Sequence, residues 1–184
     1  MTTLVAYASR HGTTAGIATR IARQLADAGA AVELRHVDQV ETIDEYETVV
    51  FGAPVYDQSW PPEANRFAAE YREALSRRPL WLFSVGSFGD TKPVIGPLTH
   101  KEPKEIAEIR ADLRPREYRV FQGVIQKHQW PLSSRLLFHA LGGRFGDHRD
   151  WPTIDAWAER IAAALADAHQ PHTSERRAVN RSGV

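Results

Sequence analysis

Three hydroxyl side chains and one glycine fall within the six residues Ser9-Arg10-His11-Gly12-Thr13-Thr14, between a short apolar run and a segment of helical periodicity. Residues of these types at such a junction can hold an anion. A helix opening at Thr13 or Thr14 presents unpaired backbone N–H groups and the positive end of its dipole. Gly12 allows a close backbone approach or a positive φ, and the hydroxyls of Ser9, Thr13 and Thr14 can donate to phosphate oxygens. Arg10 and His11 either add charge or point outward. The same residue types also cap helices, so the local pattern reads as a phosphate site or as a plain helix start. Other phosphate loops fit less well, because the chain has neither G-x-G-x-x-G nor G-x-x-x-x-G-K-[ST] in this region. The ends of the first and third predicted strands carry no acidic residue, which argues against metal-dependent phosphoryl transfer of the receiver type.

The elements that must position this loop follow from periodicity. Leu4 to Ala8, Ala31 to Val37, Thr48 to Ala53, Leu80 to Val85 and Tyr118 to Ile125 read as strands. Thr48 to Ala53 carries no charge, as expected of a strand buried on both faces. Thr14, Ile17, Ala18, Ile21, Leu25 and Ala28 recur at helical spacing, with Gly29 as a stop; Pro62 to Leu75, Glu102 to Leu113 and Asp150 to Ala168 are also helical. In the last of these Trp151, Ile154, Trp157, Ala158, Ile161 and Leu165 share a face. Five strands alternating with helices predict an α/β fold with a parallel sheet covered on both sides. The expected organisation is one domain over 1–168, an insertion at about 126–148 and a polar tail at 169–184.

Composition narrows the function. Lys plus Arg and Asp plus Glu both number 23, so no global field draws nucleic acid. There is no cysteine, which removes thiolate catalysis, disulfide exchange, iron–sulfur ligation and Cys-type zinc sites. The histidines show no H-E-x-x-H or other ligand spacing, and no protein-bound metal is expected. The chain enters a strand almost at once, without a basic n-region or apolar h-region, and its apolar runs fall short of the roughly 20 residues of a spanning helix. The expected location is cytoplasmic, at most peripheral at the inner face of the membrane.

The pattern [ST]-x-x-G-x-T after the first strand, here Ser9 to Thr14, resembles the phosphate loop of flavodoxins, which hold FMN by hydroxyls and amides. That resemblance implies a flavodoxin-like three-layer sandwich with strand order 2-1-3-4-5, FMN as cofactor, and two further loops that grip the flavin ring. After the third strand comes GAPVYDQSWPPEANRF, in which Pro54, Val55, Tyr56 and Trp60 are the candidate contacts. Tyr56 or Trp60 could stack on the ring, while Trp60 could instead pack beneath the helix start at Pro61-Pro62. After the fourth strand comes FSVGSFGDTKPVIGP. There Gly86 and Gly89 would let the backbone run along the ring edge, Ser87 and Asp90 could hydrogen-bond it, and Phe88 could cover a face; an ordinary glycine turn is the alternative.

A narrower likeness runs to about Leu165. VYDQSWPPEANRF, LWLFSVGSFGD and GDHRDWPTIDAWAERIAAAL resemble the flavodoxin-domain proteins grouped with menaquinone-dependent protoporphyrinogen oxidase, in which a D-W pair opens the final helix, here Asp150-Trp151. The resemblance implies an FMN oxidoreductase taking electrons from a small-molecule or porphyrinogen-type donor to a quinone-type acceptor. The insertion carries Leu132, Leu136, Leu137, Phe138 and Leu141 among Lys127, Arg135, Arg144, His128, His139 and His148. It either packs back on the domain or meets a porphyrin's carboxylates or anionic lipid headgroups, the last as a peripheral membrane contact. Two alternatives stand beside the enzyme: an electron carrier without its own substrate, and an interaction module that has lost the cofactor.

Overall fold

A computed structural model describes residues 2–86, 103–125 and 146–169. The expectations placed on Ser87, Phe88, Gly89 and Asp90, on most of the 126–148 segment and on the tail lie outside the described residues.

Five parallel strands form one sheet: β1 (Thr2–Tyr7), β2 (Ala31–His36), β3 (Thr48–Pro54), β4 (Leu80–Gly86) and β5 (Glu117–Gln122), in the order β2-β1-β3-β4-β5. This is the expected order 2-1-3-4-5. Every residue of β3 and β4 is buried, as the uncharged runs predict for strands covered on both faces. Polar and charged residues collect instead on the edge strands, Glu33 and Arg35 on β2, Glu117 and Arg119 on β5.

Helices cover both faces. On one side α1 (Thr13–Asp27) supplies Ile17, Ile21 and Leu25, and α5 (Trp151–His169) supplies Ile154, Trp157, Ile161 and Leu165, all packed with Val5, Val50, Phe83 and Phe121. On the other, α2 (Pro62–Glu70), α3 (Arg72–Ser76) and α4 (Lys104–Leu113) bury Phe67, Leu75 and Ile106 against Leu4, Phe51 and Leu82. The apolar stripe read at helical spacing in α1 and α5 is therefore the layer contact itself. A methyl on Gly52 would lie 1.9 Å from the Phe83 ring, so this strand position admits glycine alone while Phe83 keeps its place.

α1 ends as its glycine foretells. Gly29 has φ +91°, its N–H donates to Ala26 O at 2.9 Å, and the Ala30 N–H donates to Leu25 O at 3.0 Å, a Schellman closure. Two elements differ from expectation. The helix read over Pro62–Leu75 breaks at Tyr71 (φ −98°, ψ 15°), whose hydroxyl is tied to the carbonyls of Val40 and Glu41 at 3.3 and 3.1 Å. The fifth strand stops at Gln122; beyond Gly123, β6 (Val124–Ile125) pairs antiparallel with β7 (Gly146–Asp147). Among the described residues no helix is long and apolar enough to cross a membrane.

Candidate cofactor site

Ligands of open α/β sheets lie beyond the carboxyl ends of the strands. At the end of β1 the Ala8 N–H still bonds Gly52 O (3.0 Å), and the chain then leaves the sheet. Gly12 reverses it with φ +80° and ψ −11°, and Ser9 Oγ accepts the Gly12 N–H at 3.1 Å. Gly12, which opens α1, has no side chain to cap it, and no acidic residue lies in the first turn. Ser9 thus occupies the Gly12 amide, while the amides of the turn that follows suit an anion. Thr13 is half-buried, whereas Thr14 turns into the core. Arg10, His11 and Gly12 are exposed.

The end of β3 approaches the same loop. Pro54 is buried, and the Val55 N–H is taken by Val85 O at 2.8 Å. Tyr56 and Ser59 exchange two backbone hydrogen bonds of 2.9 Å around Asp57 (φ 48°) and Gln58 (φ 66°), a two-residue turn with both central residues left-handed. The turn holds Tyr56 half-buried against the first loop. Its ring meets His11 edge-on at 6.1 Å between centroids, and the Arg10 guanidinium lies over it at 5.8 Å. Arg10 also reaches Glu63 on α2, Nε to Oε1 at 4.0 Å. Burial raises the Tyr56 phenol above its ordinary value, with the Arg10 charge acting in the opposite sense. The phenol therefore stays neutral, as suits a stacking surface.

Of the two roles open to Trp60, the structure bears out packing beneath the helix start and corrects its use as a stacking surface. The side chain is buried in the core, edge-on to Phe51 at 5.2 Å, and its indole N–H donates to Ser84 Oγ at 2.9 Å. Side chains alternate along the extended arms of the turn. If Tyr56 and Ser59 face the cleft side, Trp60, one residue further, faces inward. It packs beneath the helix start and has no face free for a ligand.

The fourth strand ends at Gly86, buried, whose carbonyl accepts the Gly123 N–H at 3.1 Å. Gly123 brings the corner after β5 against the first turn of α1, where an added methyl would stand 3.4 Å from the Thr13 methyl. Nearby, Arg149 bonds Asp147 through Nε at 2.9 Å and lies 4.5 Å over the Trp151 ring. Its Nη1 occupies the space a side chain at Gly16 would fill. Asp150 caps α5: its carboxylate accepts the Thr153 N–H at 3.2 Å and the Thr153 hydroxyl at 2.6 Å, which holds its pKa below the usual aspartate range. Sequence reasoning did not anticipate Ser84 as an acceptor, nor Gly16 and Gly123 as approach points. A serine within an otherwise apolar buried strand was the available signal for the first; glycine approaches between distant segments leave none.

The family model described as "Flavodoxin domain" matches residues 4–144, and the chain belongs to that family. No curated protein shows significant sequence similarity to it. Among solved structures it is similar to rubredoxin oxygen:oxidoreductase from the anaerobe Desulfovibrio gigas (14% identity, TM-score 0.62), over 90% of this chain but only 36% of that one. It is similar also to a flavodoxin from the domain Archaea (14%, TM-score 0.58, 90% and 99% of the two chains) and to the flavodoxin of Streptococcus pneumoniae TIGR4 (16%, TM-score 0.55, 89% and 99%). Family membership makes FMN the cofactor. The residues present fit it: uncapped α1 amides beside Gly12 suit a phosphate, and a half-buried tyrosine at the next strand end suits a flat ring.

Proposed function

We propose that the chain is an FMN-dependent oxidoreductase that moves electrons from a small-molecule donor of the porphyrinogen type to a quinone-type acceptor. The observation that carries the redox reading is the uncapped first turn of α1 beside Tyr56, two binding features of one flavin nucleotide held by adjacent strand ends. Bound FMN supplies the electron-transfer chemistry. Ser9, Gly12, Thr13 and the α1 amides hold its phosphate, and Tyr56 orients its ring. A small-molecule substrate is favoured by charge. The chain has no acidic excess to dock a protein redox partner, and Arg110 to Asp150 holds eight Arg or Lys against four Asp or Glu. The basic and apolar 126–148 segment suits a carboxylate-bearing porphyrin or an anionic headgroup at the inner face of a cytoplasmic membrane.

A second reading, an electron carrier without its own substrate, is favoured by the nearly complete overlap with whole flavodoxins. FMN-loaded protein given protoporphyrinogen and a menaquinone analogue separates the two. Turnover supports the oxidoreductase, and an unreactive but fully reducible yellow protein selects the carrier.

A further inference from the structure

We propose that Arg149 is a positioning residue of the cofactor site, a strut that braces the first turn of α1 at Gly16 and so fixes the direction in which that turn presents its amides. The inference rests on the FMN reading above and adds to it a residue from the segment that leads into α5.

The Gly16 N–H donates to Gly12 O at 2.9 Å, the bond that closes the first turn of α1. Gly12 and Thr13 lie four and three positions earlier, on the same side of the helix. Whatever bears on Gly16 therefore bears on the turn that faces the ligand phosphate. Arg149 bears on it directly, because a methyl built on Gly16 would stand 2.8 Å from Arg149 Nη1, closer than a side-chain carbon can come. The guanidinium is fixed from its other side. Its Nε and Nη2 engage the Asp147 carboxylate, it lies 4.5 Å over the Trp151 ring, and the side chain is only 20% exposed. A second contact grips the same turn. At the Gly123 corner an added methyl would meet the Thr13 methyl at 3.4 Å, and Gly123 O accepts the His148 N–H at 3.2 Å, which ties that corner to the segment carrying Arg149. Arg149 is not needed to hold the two helices together. One turn further along, Arg20 donates to both oxygens of Asp155 at 2.7 Å, and Ile17, Ile21, Ile154 and Trp157 share one core. What Arg149 adds is local to the first turn, and the glycine at position 16 leaves room for it.

The test compares the natural chain with Arg149→Gln, Arg149→Lys, Gly16→Ala, Arg20→Gln and the double variant Gly16→Ala/Arg149→Gln. FMN affinity is read by flavin fluorescence, the bound phosphate by its phosphorus NMR resonance, and the apoprotein by its melting temperature. Alanine is the better helix former and displaces only the flexible tip of Arg149. Gly16→Ala should therefore melt no lower than the natural apoprotein, yet bind FMN on the order of threefold to tenfold more weakly, with a shifted phosphorus resonance. Arg149→Gln should weaken FMN binding to the same degree, and the double variant no further, since both changes remove one contact. Arg149→Lys keeps the charge but not the fork that grips Asp147, and should not restore binding. Arg20→Gln should lower the melting temperature and leave FMN affinity and the phosphorus resonance where they are. Unchanged FMN affinity in either Gly16→Ala or Arg149→Gln, losses that add in the double variant, or full rescue by lysine overturns the strut and leaves the cofactor reading intact. Failure of the natural chain to bind FMN overturns the cofactor reading and the strut with it.

Discussion

At the scale of single residues, the molecule separates two aromatic side chains four positions apart. Tyr56 and Trp60 both follow β3 and both look suited to a flavin, yet only Tyr56 is left at the cleft. Trp60 is claimed by the core because Ser84 offers its indole N–H a buried acceptor, and Tyr118 donates to the same oxygen at 3.0 Å. Two hydrogen bonds thus converge on one hydroxyl of β4, one from the segment after β3 and one from β5. Removing it strands a buried donor, which is more harmful than never having had the pair. Ser84→Ala should destabilise the protein by about 1–3 kcal/mol, seen as a lower urea midpoint with an unchanged slope; a midpoint equal to that of the natural chain would show the network to be dispensable.

At the scale of elements, the two helices of one face begin in opposite ways. α5 is closed by Asp150, which receives the amide and hydroxyl of Thr153, and the D-W pair that opens it has a structural reason in that cap and in the Arg149–Trp151 stack. α1 opens at Gly12 without a carboxylate cap, and its first turn follows directly on the carboxyl end of β1. Two similar amphipathic helices therefore differ in what their first turns do: one satisfies itself, the other waits for an anion. The Asp150 pKa is depressed in the folded state, chiefly by the Thr153 hydroxyl and then its amide. Its contribution is therefore present above the ordinary aspartate range and is lost as pH falls through the lowered folded value. Comparing the melting temperatures of the natural chain and Asp150→Asn between neutral and acid pH should show a gap in favour of aspartate that closes on acidification. A gap that stays constant would rule out the charged cap as its source.

At the scale of the whole molecule, one sheet serves two cores, with α1 and α5 on one face and α2, α3 and α4 on the other. The cofactor cleft is built where the strands end, so binding draws on loops anchored in both layers: Gly12 leads into α1, while Glu63, the partner of Arg10, belongs to α2. A ligand that binds only this assembled state stabilises it by mass action. Free FMN at roughly 100 times its Kd should add about 2.7 kcal/mol, a rise of roughly 5–10 °C in melting temperature for a chain of this size. No rise with FMN would contradict the cleft as its site.

Much of this was determined by residue order alone. The uncharged run Thr48–Ala53, the stripes of α1 and α5 and the stop at Gly29 each express a local rule, apolar periodicity or the positive φ of glycine, so the parallel sheet, its layers and the Ser9–Thr14 loop could be read before any coordinates. Which of its two readings Trp60 takes, the break at Tyr71 and the turn from β5 into β6 could not. Each depends on a partner remote in the chain: Ser84 for the indole, Val40 and Glu41 for the phenol, Gly146 and Asp147 for the added pairing. The meeting of Arg10 with Tyr56 is of the same kind. Periodicity reports which way a side chain faces within its own element; only the packing of one element on another decides what it finds there.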